Sequence, residues 1–174
     1  GTFAALIARP LFLIGFMCSG KSRIGRALAQ RMGLRHVDTD RVVEARVGPL
    51  VPFFRTHGEV AFREEERNVL LELLDQQDVV VSTGGGAPMV GDNRTRMLVA
   101  GPVVFLDVSM EVLMPRIIRS GGDRPLLLGL KGEALRDRVE TLLADRMPAY
   151  SGASVVVDGD GTPEEVAQRI QEVL

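Results

Sequence analysis

Five short runs along the chain have the length and apolar character of buried strands: Leu11–Ile14, the mixed Arg35-His-Val-Asp38, Val79-Val-Val-Ser82, Val103-Val-Phe-Leu106 and Ser154-Val-Val-Val157. Between them apolar residues recur at helical spacing. Ile24, Ala27, Leu28 and Met32 share one side of 24–32. Phe62, Val69, Leu70, Leu73 and Leu74 share one side of a helix predicted over Glu59–Leu74, which leaves Glu64-Glu-Glu-Arg67 for water. Met110–Ile118 and Glu133–Leu143 repeat the pattern, and Thr162 stands as N-cap before Pro163. Strands alternating with helices predict an α/β fold with a parallel sheet. No internal repeat, linker or low-complexity segment interrupts it, so 1–174 reads as a single domain. The exception is Arg119–Lys131, where glycines 121, 122, 129 and 132 surround Asp123-Arg-Pro-Leu-Leu127. That composition predicts a mobile surface lid.

Composition narrows the class without naming a function. Hydrophobic residues make up 45% and charged residues 25%, the balance of an ordinary globular enzyme. A net charge of −2 gives no global reason to expect nucleic acid, so individual arginines need local explanations. The single Cys18 excludes an internal disulfide and suits a reducing cytoplasm. No apolar run reaches membrane-spanning length, so no membrane partner is expected. The opening Gly1–Pro10 lacks an initiator Met and reads as a trimmed chain or a piece of something longer.

Chemistry enters at Gly15-Phe-Met-Cys-Ser-Gly-Lys-Ser22, which fits the G-x-x-x-x-G-K-[ST] phosphate loop and lies between a strand and a helix as that loop must. Free N–H groups and the helix's positive end make an anion cradle from Cys18, Ser19, Gly20 and their neighbours. Lys21 supplies a point charge to the β/γ-phosphates, and the Ser22 hydroxyl a Mg²⁺ ligand. Cys18 reads as a bystander, because phosphoryl transfer from ATP needs no thiol.

Asp38-Thr-Asp40 ends the second strand, where ligands gather in a doubly wound sheet. Its carboxylates suit Mg²⁺-bound water and proton abstraction from a hydroxyl; the plainer reading is helix capping, with Asp40 opening a helix at Arg41. Thr83-Gly-Gly-Gly86 follows the third strand, and three glycines let a ligand approach main-chain N–H groups closely. Arg63, Arg124 and Arg146 sit in separate segments, and any arginine is most often a solvated charge. Arg124 rides the lid, where it could close on transferring phosphate. Arg63 follows Phe62, a pairing suited to a small carboxylated ring, since the guanidinium fork grips a carboxylate with two bonds. His36 and His57 lack partners at metal-ligand spacing and read as structural or surface groups.

In order, GFMCSGKS, the DTD of 38–40, GEVAFREEE at 58–66, STGGGAP at 82–88, DRPLL at 123–127 and ADRMPAY at 144–150 resemble the shikimate kinase family over nearly the whole chain from Leu11. The resemblance implies a three-layer P-loop kinase fold with a five-stranded parallel sheet, a helical substrate-binding segment at about 40–70 and a lid at about 119–131. It implies transfer of the γ-phosphoryl of ATP to the 3-hydroxyl of shikimate, with Mg²⁺ as cofactor, by a monomer. By that likeness Lys21, Asp40 and Arg124 are catalytic. Cys18, Ser19, Gly20, Lys21, Ser22, Arg23, Arg119 and Arg124 meet ATP, with Arg119 beside adenine, and Ser22 and Asp38 serve the metal. Arg63 and Arg146 grip the carboxylate, Gly84, Gly85 and Gly86 offer main-chain donors, Asp40 bonds ring hydroxyls, and Phe54 and Phe62 wall the ring pocket.

Three positions depart from the family pattern. Cys18 stands where a small residue, often glycine, is usual; Arg23 replaces a threonine; Ser151 replaces an arginine after the tyrosine. Two other readings remain open at this stage, a related kinase such as a gluconate kinase and a ligand-sensing copy of the fold that does no chemistry. The full set Lys21, Asp38, Asp40 and Arg124 counts against a sensor, and Arg63 with the triple glycine against gluconate.

Overall fold

The computed structural model describes residues 9–120 and 124–174. Expectations for residues 1–8 and for Gly121, Gly122 and Asp123 of the lid therefore lie outside the described residues. Strands β1 (Leu11–Ile14), β2 (Arg35–Asp38), β3 (Val79–Ser82), β4 (Val103–Asp107) and β5 (Val155–Asp158) form one parallel sheet in the order β2-β3-β1-β4-β5. Helices α1 (Lys21–Met32), α2 (Thr39–Val47), α3 (Leu50–Leu73), α4 (Asn93–Ala100), α5 (Met110–Ser120), α6 (Gly132–Tyr150) and α7 (Pro163–Val173) connect and cover it, with short 3₁₀ turns at Ala87–Met89 and Pro125–Leu127.

Strand residues alternate between two hydrophobic layers, as the two-residue period of a pleated strand requires. Phe12, Ile14, Val79, Val81, Val103 and Phe105 face Leu70, Met97, Leu113, Ile117, Val139 and Tyr150 on one side. Leu11, Leu13, Val80, Val104, Leu106 and Val157 face Ile24 and Leu28 of α1 and Val166 and Ile170 of α7 on the other. Each fully buried side chain of this size contributes roughly 1.5–3 kcal/mol by leaving water. The result is the expected three-layer α/β architecture. The segments after β1, β2 and β3 all emerge at one edge, beside the central strand where the chain's progression across the sheet reverses.

Several elements differ from the sequence reading. Helix α3 begins at Leu50 rather than Glu59, bent at Gly58, whose φ of 86° is open to glycine but not to a helical residue. Pro52 lies in its first turn, where a proline's missing N–H costs nothing, so it did not stop the helix. Helices α2 and α4 escaped periodicity because each buries only two residues, Thr39 with Val43 and Asn93 with Met97. Helix α6 continues past Leu143 to Tyr150. Asp38, not Asp40, caps α2: its Oδ1 accepts from the N–H groups of Asp40 at 3.0 Å and Arg41 at 3.3 Å. Glu66, expected to face water, is 1% exposed, because Phe62, Glu66, Val69 and Leu70 share the inner face of α3. The described part of the lid is also more firmly seated than its glycines suggested, since Leu127 is buried in the main core and Leu130 packs against it.

Candidate active site

Loop 15–20 leaves β1 and turns directly into α1, with Gly20 at φ 93° as the cap residue. Lys21 Nζ donates to the carbonyls of Gly15 at 2.6 Å and Phe16 at 2.9 Å, so it is held across the mouth of its own loop. Burial lowers its pKa to about 8, against the opposing pull of Asp40, while Arg124 and Arg146 lower it further. Cys18 adopts φ 62°, the left-handed region that side chains other than glycine's rarely enter. Its Sγ lies 3.5 Å from Arg124 Nη2, and its carbonyl accepts from Arg116 Nη1 at 3.1 Å. The cleft over this loop is lined by Cys18, Ser19, Gly20, Lys21, Ser22 and Arg23, together with Asp38 and Arg124.

The hydroxyl of Ser22 meets Asp38 Oδ2, the carboxylate oxygen left over from capping α2. A hydroxyl and a carboxylate side by side at a phosphate loop form the oxygen-donor set that Mg²⁺ takes when phosphate and water complete its shell. Among the described residues no cluster of three or more His, Cys, Asp or Glu forms a self-contained metal site. His36 instead bonds Ser82 Oγ at 2.8 Å, and His57 packs on Phe53.

A second cleft adjoins the first. It brings together Asp40, Phe54, Phe62, Arg63, Gly84, Gly85, Gly86 and Arg146, and adds Glu66, Arg124 and Leu126. These residues come from α2, both arms of α3, the turn after β3, the lid and α6, so only the fold unites them. Arg63 lies against Gly86, where any Cβ would collide with the guanidinium. Arg146 is 7% exposed and sits over the Phe16 ring at 5.5 Å. Phe54 and Phe62 face one another at 6.0 Å, an apolar wall beside the two cations. The triple glycine is used unequally. Gly84 N–H is spent on Thr39 Oγ1 at 3.1 Å, which corrects the expectation of three free donors; among the described residues those of Gly85 and Gly86 carry no bond.

Met17, Asp40, Gly85 and Arg124 line both clefts. Asp40 is raised above the usual carboxylate pKa by burial and by Asp38, with Lys21, Arg124 and Arg63 pulling the other way. Arg119, expected beside the nucleotide base, is exposed on the last turn of α5 and lines neither cleft. One turn earlier Arg116 borders a groove with Cys18, Gly20, Arg23, Gly161 and Pro163, continuous with the phosphate loop.

Sequence reasoning missed two further groups. Glu66 belonged to an acidic run that read as solvated; its position four residues after Phe62 and three before Val69 was the available signal. Tyr150 is fully buried, stacks on Phe105 at 4.9 Å and donates to the Gly85 carbonyl at 2.5 Å, which a periodicity scan ending at Leu143 could not foresee.

A phosphate loop joined through one carboxylate and one arginine to a small cleft with two cations and an aromatic wall defines a P-loop small-molecule kinase. A family model described as shikimate kinase matches residues 17–174. The shikimate kinase of Parabacteroides distasonis is 42% identical over 153 residues, covering 87% of this chain and 88% of its own. That of Thermus thermophilus is 43% identical over 164 residues, covering 93% and 88%. The structure of Acinetobacter baumannii shikimate kinase in complex with shikimate superposes with a TM-score of 0.89 at 32% identity, over 99% of this chain and 96% of that one. This chain belongs to the shikimate kinase family.

Proposed function

We infer that this chain transfers the γ-phosphoryl group of ATP to the 3-hydroxyl of shikimate, giving shikimate 3-phosphate and ADP, the kinase step of the shikimate pathway to aromatic amino acids. The observation that carries this reading is the pair of clefts meeting at Asp40 and Arg124. One is built for polyphosphate. The other offers two guanidinium groups to a carboxylate, an apolar wall to a ring, and a carboxylate to a hydroxyl.

In this scheme Arg63 and Arg146 hold the substrate carboxylate, and Phe54 and Phe62 flank the ring. Gly85 and Gly86 donate main-chain hydrogen bonds to the substrate, while Gly84 serves as the close-packed floor. Asp40 takes the proton of the 3-hydroxyl as its oxygen bonds to the γ-phosphorus and the bond to the β-γ bridging oxygen breaks. Lys21 and Arg124 stabilise the charge on the transferring group, and the loop from Cys18 to Arg23 cradles the phosphates. Ser22 and Asp38 would hold Mg²⁺, which neutralises phosphate charge when bound. The groove of Arg116 and Pro163 receives the base, and Arg116 takes the place beside it that the resemblance gave to Arg119. In this reading residues 40–70 are the substrate-binding segment and 119–131 the lid of one domain spanning 1–174, which works in the cytoplasm as a monomer. Among the described residues no helix is long and apolar enough to cross a membrane.

The test is the product. Incubation with ATP, Mg²⁺ and shikimate should give one phosphorylated product whose phosphorus couples to the proton on carbon 3 in a two-dimensional NMR spectrum. Phosphate at another ring position, or ATP consumption unaffected by shikimate, would contradict the assignment.

A further inference from the structure

Asn93 opens α4 yet does not cap it. An asparagine or aspartate at the start of a helix ordinarily accepts from the helix's free N–H groups, but among the described residues neither Asp92 nor Asn93 makes such a bond. The Asn93 side chain is instead fully buried, and both ends of its carboxamide are in use. Its Oδ1 accepts from Arg67 Nη1 of α3 at 2.7 Å. Its Nδ2 donates to the Ala87 carbonyl at 3.0 Å, in the turn that follows the triple glycine. Asp92 Oδ1 holds the same Arg67 nitrogen at 2.6 Å, and Arg96 Nε braces Asp92 Oδ2 at 2.8 Å.

The two ends of this bridge lead to two walls of the acceptor cleft. Arg67 lies one turn beyond Arg63 on α3, and Ala87 directly follows Gly86. The Arg63 guanidinium rests on Gly86, in the space a Cβ would take. That contact is packing without a hydrogen bond; among the described residues Arg63 bonds to Glu66 of its own helix at 3.0 Å. Packing alone lets a flat guanidinium slide over a glycine. The two bonds of Asn93 are directional, and they join α3 to the turn in one register.

We propose that Asn93 is a positioning residue for acceptor binding, setting the distance from the Arg63 guanidinium to the free N–H groups of Gly85 and Gly86. The proposal rests on the reading of those groups as the ones that hold the substrate's carboxylate and ring hydroxyls. A small rigid ring has to reach all of them at once, so their spacing matters as much as their presence. Asn93 itself lines neither cleft and acts only through Arg67 and Ala87.

Two variants break the bridge from opposite ends. Asn93→Leu keeps the volume and loses both bonds. Arg67→Met acts from the end whose side chain is 30% exposed, so the test stands even where the buried variant fails to fold. In each, the KM for shikimate should rise roughly five- to thirtyfold, with kcat and the KM for ATP within about threefold of wild type. The double variant should be no worse than the worse single one, because both remove the same bridge. With shikimate methyl ester as acceptor, which offers Arg63 no carboxylate, the rise should shrink to less than about threefold. Equal rises for acid and ester, or an unchanged KM for shikimate in the folded variants, would overturn the proposal and leave Asn93 a purely structural residue. The Arg63 Nε–H resonance of the substrate-free chain, assigned by its loss in Arg63→Lys, should also shift in both variants, and an unmoved resonance would count equally against the bridge. That spectrum can be read in a chain that does not phosphorylate shikimate, so failure of the proposal and failure of the functional assignment are separable.

Discussion

The Tyr150 hydroxyl donates to the carbonyl oxygen of Gly85 across 2.5 Å, one helical turn from Arg146 on the same face of α6. Gly85 lies between that arginine, 3.2 Å from its Cβ position, and the main chain of Met17 in the phosphate loop at 3.3 Å. The tyrosine therefore fixes the wall shared by the two clefts. Burial pushes its pKa up to about 12, so it remains a donor throughout the working pH range. Tyr150→Phe keeps the stacking on Phe105 but orphans the Gly85 carbonyl. The expected outcome is a loss of about 1–2 kcal/mol in urea unfolding and a higher KM for both substrates, because both clefts share Gly85. Unchanged KM values in the folded variant would show that the bond serves stability alone.

Lys21 gives a pH signature. Its pKa of about 8 in the free chain means that it is half deprotonated near that pH, and a bound polyphosphate raises the pKa again. ATP binding should therefore take up a proton between roughly pH 8 and 9 and almost none at pH 6.5. Calorimetry in buffers of differing ionisation enthalpy reads this directly, and Lys21→Ala should abolish both the uptake and turnover. Uptake that persists in Lys21→Ala would assign the proton elsewhere.

Asp38 and Asp40 stand two residues apart, and the proposed scheme gives them different work. Asp38→Asn keeps an oxygen to cap α2 but weakens the metal site beside Ser22, so its activity should recover in part as Mg²⁺ is raised. Asp40→Asn removes the proposed base, and no metal concentration should restore its activity. Identical Mg²⁺ titrations for the two variants would refute this division.

Glu66 also predicts how stability depends on pH. Its folded pKa of about 7 lies above the ordinary 4.5, so the folded chain holds a proton that the unfolded chain releases. The resulting stability, about 3 kcal/mol, is fully present below about pH 4.5 and is lost as pH rises through about 7. Relative to wild type, Glu66→Gln should gain stability from pH 5 to pH 8 in urea unfolding. A constant difference between the two across that range would mean that Glu66 is not raised.

Much of this was legible in the chain. The β1–loop–α1 order, the Asp38 and Asp40 pair and the triple glycine are local signals, each within a few residues, and the fold placed all of them at one edge of the sheet. The apolar runs found β1, β3 and β4 for the same reason, since a strand buried on both faces reads as a continuous apolar stretch, whereas the edge strands β2 and β5 are largely uncovered. Residues whose meaning is tertiary were harder. Glu66 reads as solvent-facing until α3 is seen to turn it toward Asp40 and Gly84. Tyr150 gains its role only from Gly85, sixty-five residues away in sequence. Leu127 anchors a segment whose glycines predicted freedom, because the core it enters is assembled from distant elements.

The central claim is that two adjoining clefts of one chain select a small carboxylated ring alcohol and phosphorylate it from ATP. A coupled assay of ADP release, run with shikimate, gluconate and nucleoside monophosphates as acceptors, measures that most directly. Shikimate alone should drive turnover well above the rate with ATP and water. Arg63→Lys should raise the KM for shikimate by roughly five- to a hundredfold, through loss of the bidentate fork, while leaving that for ATP nearly unchanged. Faster turnover with gluconate or a nucleotide than with shikimate, or equal losses for both substrates in Arg63→Lys, would contradict the account.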